Sequence, residues 1–248
     1  MQPYFFPYLG YFQLIQAVDK FILYDNVNYI KKGWVNRNRL VVQGRPRFIV
    51  VPLQQQSSAQ KIRDARIDMT RDWRKRLFGT IYLNYKRCAF FDEVFPLIER
   101  VLAMDVEHLT ELNCSSVRWI AEFLEIPTDI VTDVSNYEGL ERDLSEETSR
   151  IREEYTQRQN LSDTKTIRIF LICRNEGAGT YINAIGGQAL YDKSLFANNG
   201  IALWFVKTLP YSYEQRADEF FSSMSIIDVL MNCGKAGTKE LLSRYELI

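Results

Sequence analysis

One histidine, His108, stands alone in a chain of 248 residues. That scarcity removes whole classes of chemistry, because catalytic triads, histidine metal clusters and histidine-based acyl transfer each need placed imidazoles. Its setting, Asp-Val-Glu-His-Leu-Thr, predicts a surface position on a helix. Cysteine is also sparse: Cys88, Cys114, Cys173 and Cys233 lie far apart and form no C-x-x-C pair. Zinc sites and disulfide frameworks are announced by tight spacing, so these residues read as reduced, mostly buried thiols of a cytosolic protein, and no residue is assigned to a metal. Net charge is missing too, since Lys+Arg and Asp+Glu both number 31, which leaves no overall field toward nucleic acid or a membrane. No apolar run approaches the ~20 residues that span a bilayer. Met1 is followed by Gln-Pro and aromatics rather than by a basic segment, so no signal peptide is expected. The expectation is a soluble, cytoplasmic protein with no membrane span. Any catalysis must rest on carboxylates, Lys, Tyr or Cys, on Asn and Arg positioning, or on bound substrate and metal.

What is abundant is aromatic surface: 14 Tyr and 15 Phe bring Phe, Trp and Tyr to 13%. The length suits one compact body over residues 1–248. Residues 11–18 have helical apolar spacing, and Phe21–Tyr24 reads as a buried strand feeding a polar loop at Asp25-Asn26. Leu40–Val42 and Phe48–Val51 read as a hairpin around Gln43–Pro46. Helices are expected over 70–87, 92–104 and 105–125, then a strand over Thr128–Asp133 and a very polar stretch over 140–160. From 163 the order is helix, a glycine-rich segment around Gly177–Gly187, a short helix, the strand Ile201–Val206, and a helix over 222–231 closed by Gly234. The fold class is therefore α/β: a mixed, partly parallel sheet flanked by helices, with a mainly helical middle segment at about 70–160.

The balanced charge hides a polarity. Lys31 to Arg76 holds thirteen Lys/Arg against three Asp, and Asp92 to Glu154 holds seventeen Asp/Glu against five Lys/Arg. Solvated helix faces account for the acidic block. The basic block begins interleaved with Trp34, Asn36 and Asn38, and cations with planar amides and an aromatic suit phosphate joined to a ring or sugar.

Three segments carry the specific signals. The opening Gln2-Pro3-Tyr4-Phe5-Phe6-Pro7-Tyr8-Leu9-Gly10-Tyr11-Phe12 has two prolines that forbid a regular helix, and Gly10 allows close approach or positive φ where the next helix begins. It is either a turn that holds an anion or carbonyl at a helix N-terminus or an aromatic plug under the first helix. The second segment, Asp25 to Arg39, places Asp25, Tyr29, Lys31, Lys32, Trp34, Asn36, Arg37, Asn38 and Arg39 directly after a strand, where α/β folds place ligands. The third joins Gln215 to Ser225-Ile226-Ile227-Asp228-Val229-Leu230-Met231-Asn232-Cys233-Gly234. Ser225 suits a helix cap. Asp228 and Asn232, at i and i+4, share one helix face and act on a ligand together or form a surface hydrogen bond.

These segments resemble the WbqC-like protein family over nearly the whole chain. The resemblance rests on its Gln-Pro-x-Phe-x-Pro-x-x-Gly-Tyr-Phe opening, its Asp-x-Val-x-Tyr-x-Lys-x-x-Trp-x-Asn-Arg-Asn-Arg stretch and its Ser-Ile-Ile-Asp-x-Leu-x-Asn-x-Gly ending. One departure is that members usually carry a few apolar residues before Gln-Pro, whereas here Met1 precedes it. The resemblance implies a bacterial protein encoded with O-antigen or other surface-polysaccharide genes.

With that implication, the leading expectation is a transferase that places an acyl or aminoacyl group, such as glycyl, on a nucleotide-linked amino sugar, with ATP and magnesium or acyl-CoA as donor chemistry. Lys31, Lys32, Arg37 and Arg39 would neutralise phosphates, and Asn36 and Asn38 would orient substrate beside Gln2, Tyr4, Gly10, Tyr11, Tyr29, Trp34, Gln215, Ser225 and Asn232. Asp25 or Asp228 would be the base. Cys173 or Cys233 is either a covalent carrier or a buried thiol. The alternatives are a non-catalytic glycan-pathway scaffold and a nucleic-acid-binding protein using the basic block.

Overall fold

The computed structural model describes residues 1–140, 144 and 164–248. It is an α/β protein built from helices and three small sheets, as its sequence predicts. Two compact units form: Met1–Thr132 with Thr208–Tyr245, and Asp133–Lys207 with Glu246–Ile248.

In the first unit, α1 (Leu9–Gln16) leads into β1 (Lys20–Ile22), which pairs in parallel with β4 (Asp129–Val131). β2 (Arg37–Val42) and β3 (Arg45–Val50) form an antiparallel hairpin in which Arg39 faces Phe48. The positive φ that its tight turn needs falls on Gln43 and Gly44. The hairpin corrects one expectation: the strand begins at Arg37, so Arg37, Asn38 and Arg39 are strand residues rather than part of a loop. Pleating then separates them, with Asn38 buried and its two arginine neighbours half-buried.

Three helices follow: α2 (Trp73–Tyr85), α3 (Phe91–Leu102) and α4 (Leu109–Phe123). Leu109, Leu112, Asn113, Ser116, Val117, Ile120 and Ala121 are the buried face of α4, at the spacing of one helical stripe. The helical middle therefore holds to Phe123; of the 140–160 stretch, residues 141–143 and 145–160 lie outside the described residues. His108 is the residue just before α4, half-buried, with its ring Nδ1 3.0 Å from the Arg63 carbonyl. The core gathers Phe5, Phe6, Leu9, Phe12, Ile15, Leu23 and Leu40, all fully buried, with Ile226 and Ile227.

In the second unit, α5 (Thr164–Asn175) and α6 (Lys193–Asn198) accompany a sheet in the order β5 (Thr180–Ala184), β6 (Ala202–Thr208), β7 (Tyr245–Leu247). β5 pairs in parallel with β6 and was not expected within the glycine-rich segment. Its residues are uniformly half-buried after Thr180, so no alternation marks it as a strand. Phe196, Phe205, Ile167 and Leu171 close the core of this unit.

The last helix, α7 (Ile226–Leu242), departs from expectation in length. Gly234 closes its first helical run, as the sequence predicts, with φ 64° and ψ −172°, and a second helical run follows beyond this kink. A Cβ there would collide with the Phe90 ring. Gly234→Ala combines a left-handed strain with overpacking and is expected to cost at least about 2 kcal/mol, read as a lowered midpoint in urea with an unchanged slope.

Candidate functional site

The opening segment cannot build a regular ladder, since Pro3 and Pro7 lack N–H groups. Side chains take the place of a neighbouring strand. Asn38 Nδ2 donates to the Phe5 carbonyl at 3.1 Å and to the Phe6 carbonyl at 2.6 Å. Ser225 Oγ donates to the same Phe6 carbonyl at 2.8 Å, and the Ile226 N–H donates to the Pro7 carbonyl. Phe6 itself has φ 41°, a conformation that a bulky residue keeps only when its surroundings over-determine it. Asn113 Nδ2 donates to the carbonyls of Pro3 and Val35 at 3.0 and 2.7 Å, and Tyr11 Oη donates to the Gln2 carbonyl at 2.7 Å. The three sequence segments therefore meet at one backbone junction. Both readings of the opening have structural content: Phe5 and Phe6 are a buried plug, and the carbonyls around them are clasped by polar side chains.

Several candidate residues are thereby engaged inside the protein. Asn36 accepts from Tyr29 Oη at 2.7 Å and donates to the Val51 carbonyl. Ser225 also caps α7 through the Ile227 N–H. Gly10 has no positive φ; it is needed for close approach, because a Cβ would lie 2.6 Å from the Tyr8 ring and 3.2 Å from Thr208 Oγ1.

The two carboxylates have different surroundings. Asp228 is fully buried and accepts from Tyr85 Oη at 2.6 Å, Tyr213 Oη at 2.7 Å and Gln215 Nε2 at 2.8 Å. Burial raises its pKa, and those three donors work in the opposite direction. Asn232 does share its helix face, yet its amide donates to the Asp228 main-chain carbonyl at 2.7 Å rather than to the carboxylate. Asp25 is 7% exposed and has one occupied oxygen: Oδ2 accepts from Thr110 Oγ1 at 2.7 Å, while Oδ1 has no donor. Burial raises this carboxyl, against the lowering effects of Thr110 and the Arg63 charge. Asn113 Oδ1, one helical turn from Thr110 on the buried side of α4, is a second buried acceptor without a donor. Thr110 and Asn113 were absent from the sequence reading, and only the i, i+3 placement of two polar residues on an otherwise apolar helix face hinted at them.

The cations cluster with rings on the other face of the hairpin. Arg37 lies 4.5 Å over the Phe48 ring, Arg39 lies 5.7 Å over Trp34, and the Trp34 and Phe48 rings are 6.2 Å apart. Arg37 Nε donates to the Gly33 carbonyl at 3.0 Å, and its guanidinium also reaches the Lys32 carbonyl. Arg39 Nε has no acceptor, and Lys31, Lys32 and Trp34 are exposed. Tyr4 and Gln2 are half-buried, with the Tyr4 ring 5.5 Å from that of Tyr11. One turn of α4 ties the two features together, because Thr110 holds Asp25 and Asn113 holds Val35, the neighbour of Trp34.

The cysteines form no disulfide, and burial pushes the thiols of Cys173 and Cys233 up to about 11 and that of Cys114 to about 12. Thiolate is then scarce at neutral pH, which favours the buried-thiol reading over a covalent carrier. Among the described residues there is no group of three or more His, Cys, Asp or Glu that could hold a metal ion, and no helix long and apolar enough to cross a membrane.

In this small-sheeted α/β protein the opening segment, the Asn/Arg-rich strand and the terminal helix lock together through the Asn38 amide, the Ser225 hydroxyl and the Ile226 N–H. The chain belongs to the WbqC-like protein family, whose model matches residues 2–240. It is 30% identical over 238 residues, 94% of this chain and 92% of the relative, to the uncharacterized protein Rv1507c of Mycobacterium tuberculosis. No solved structure matches it.

The two carboxylates are expected to answer amide substitution differently. Asp25→Asn keeps an oxygen for Thr110 and loses a buried charge, so its cost at pH 7 should be under about 1 kcal/mol, whereas Asp228→Asn turns an NH₂ toward existing donors and should cost at least about 2 kcal/mol. Because burial raises the folded pKa of Asp25, its contribution to stability is full below the ordinary carboxylate value and declines as pH rises through the raised one. Thermal melts across that range should therefore show Asp25→Asn gaining on the native protein as pH rises.

Proposed function

We propose that this protein is an enzyme of bacterial surface-glycan synthesis that forms an amide on a nucleotide-linked amino sugar by acyl or aminoacyl transfer. The observation that carries the reading is Asp25: a buried carboxylate fixed through one oxygen, with the other lacking any donor. A carboxyl raised by burial and holding a free lone pair suits a general base for an incoming ammonium group. The amine must lose a proton before its nitrogen attacks the acyl carbon. The proton passes to Asp25 Oδ1, the new C–N bond forms, and the acyl carbon's bond to the donor's oxygen or sulfur breaks.

The exposed cation and ring cluster suits the rest of such a substrate. Arg39 stacks on Trp34 with Nε unclaimed, and Lys31 and Lys32 stand free to meet phosphate oxygens. Asn36, Asn38, Ser225, Tyr11 and Tyr29 then act by fixing the backbone around the site, and Asp228 with Gln215 acts as its buried brace. The acyl donor is an acyl-adenylate made with ATP and magnesium, or an acyl-CoA.

A thermal-shift screen with nucleotide-linked amino sugars, ATP and magnesium, and acyl-CoA tests the reading, since a ligand that binds the native state raises the melting temperature. The expected result is a shift with an amino sugar nucleotide and with one donor. Asp25→Asn should keep both shifts and lose turnover by about 10²- to 10⁴-fold. Shifts without turnover in the native protein would indicate a carrier or scaffold. Retained turnover in Asp25→Asn would remove Asp25 as the base.

A further inference from the structure

A concavity of about 520 Å³ lies in the first unit, between β3 and the first turns of α2. Its helix wall is Trp73, Arg76, Leu77 and Thr80, the i, i+3, i+4, i+7 stripe of α2. Its aliphatic lining comes from Val42 and Ile49 of the hairpin and Leu77 of α2, and Phe48, which also lines it, is 53% exposed. Of the residues assigned to the candidate site above, Phe48 alone reaches it, and neither Asp25 nor any cation of that site lines it.

Three features bring positive potential to this one groove. Arg47 and Arg76 line it and have no ion-pair partner among the described residues, while Arg71 is paired through Nε with Asp68 at 3.0 Å. α2 begins there without a side-chain cap; its Trp73 N–H donates to the Arg71 carbonyl at 2.8 Å, and the rest of its first turn carries the positive end of the helix dipole. Trp73, 6% exposed, lines the groove, and its indole N–H has no acceptor. A buried N–H left without an acceptor is uncommon and calls for a partner. An acceptor-rich anion would satisfy it, and the same anion would meet the arginines.

The aliphatic lining narrows the class of ligand. Aliphatic side chains bury apolar surface but do not read the edge of a base, so an unsaturated or saturated hydrocarbon chain fits better than a nucleotide. We infer that the groove between β3 and α2 binds a phosphate ester of an alkyl or isoprenyl chain, with the phosphate at Arg47, Arg76 and the Trp73 indole and the chain along Val42, Ile49 and Leu77. The site is independent of the amide-forming reading and stands or falls separately from it.

Isothermal titration with geranyl phosphate, geraniol, inorganic phosphate and uridine diphosphate tests this. Geranyl phosphate should bind at least about tenfold more tightly than either half alone, because the anion and the chain are held together. The Arg47→Ala/Arg76→Ala variant removes two exposed side chains and should fold, with affinity lowered at least about tenfold. Trp73→Phe keeps the ring, loses the N–H and should weaken binding several-fold. Asp25→Asn should bind geranyl phosphate as the native protein does, whatever its turnover. Absence of binding, equal binding of geraniol, an unchanged double arginine variant, or tighter binding of uridine diphosphate would each overturn the assignment.

Discussion

The amide of Asn38 does what a neighbouring strand would otherwise do. One NH₂ group holds two successive carbonyls of a segment whose prolines remove its own donors, and it is delivered from the buried face of a hairpin strand. The left-handed Phe6 between those carbonyls keeps its conformation because Ser225 grips the same oxygen from the start of α7. Main-chain geometry at residues 5–7, the hairpin and the terminal helix are therefore fixed by a few short polar contacts. Those contacts are shielded from water, where each unmade bond would leave a costly orphan. Aromatic packing supplies bulk around this junction; the amides supply its uniqueness.

The two acidic side chains show how similar burial yields different chemistry. Both lose solvation, and both are pushed toward the protonated form. Asp228 has each oxygen occupied, so its lone pairs are committed to the fold. Asp25 has a single hydroxyl partner and keeps an unused oxygen in a dry place. Availability of a lone pair, rather than burial or charge alone, separates a brace from a reactive group.

The α/β class, the hairpin and the three middle helices were legible because they rest on local pattern: spacing on α4, turn residues at Gln43-Gly44, and the proline after Ile126. β5 was not legible, since a uniformly half-buried strand shows no alternation. Gly234 is legible as a stop and does end the first helical run, while the second run beyond the kink carries no such local mark. The motifs identified which residues matter without revealing direction. Asn36 and Asn38 look like ligand-facing amides in sequence, but strand pleating turns Asn38 inward and the Tyr29 hydroxyl occupies Asn36. Thr110 and Asn113 belong to no motif, and beyond their i, i+3 spacing their partners are legible only with α4 in place beside Asp25 and Val35.

Tyr85 links the hairpin to the terminal helix through one hydroxyl that receives the Val41 N–H at 3.0 Å and gives its only proton to Asp228 at 2.6 Å. A peptide N–H can only donate, so the hydroxyl cannot turn around, and the sense of the relay is set by the main chain. The same logic casts Asp228 Oδ1 as the acceptor at the end of the relay. The hairpin thus sets the polarity of a terminal-helix side chain, through Tyr85 and through the Val41 main chain itself. Rotating β2 by one residue would reverse the pleat and remove Val41 from reach, so this relay to the terminal helix exists in one strand register alone.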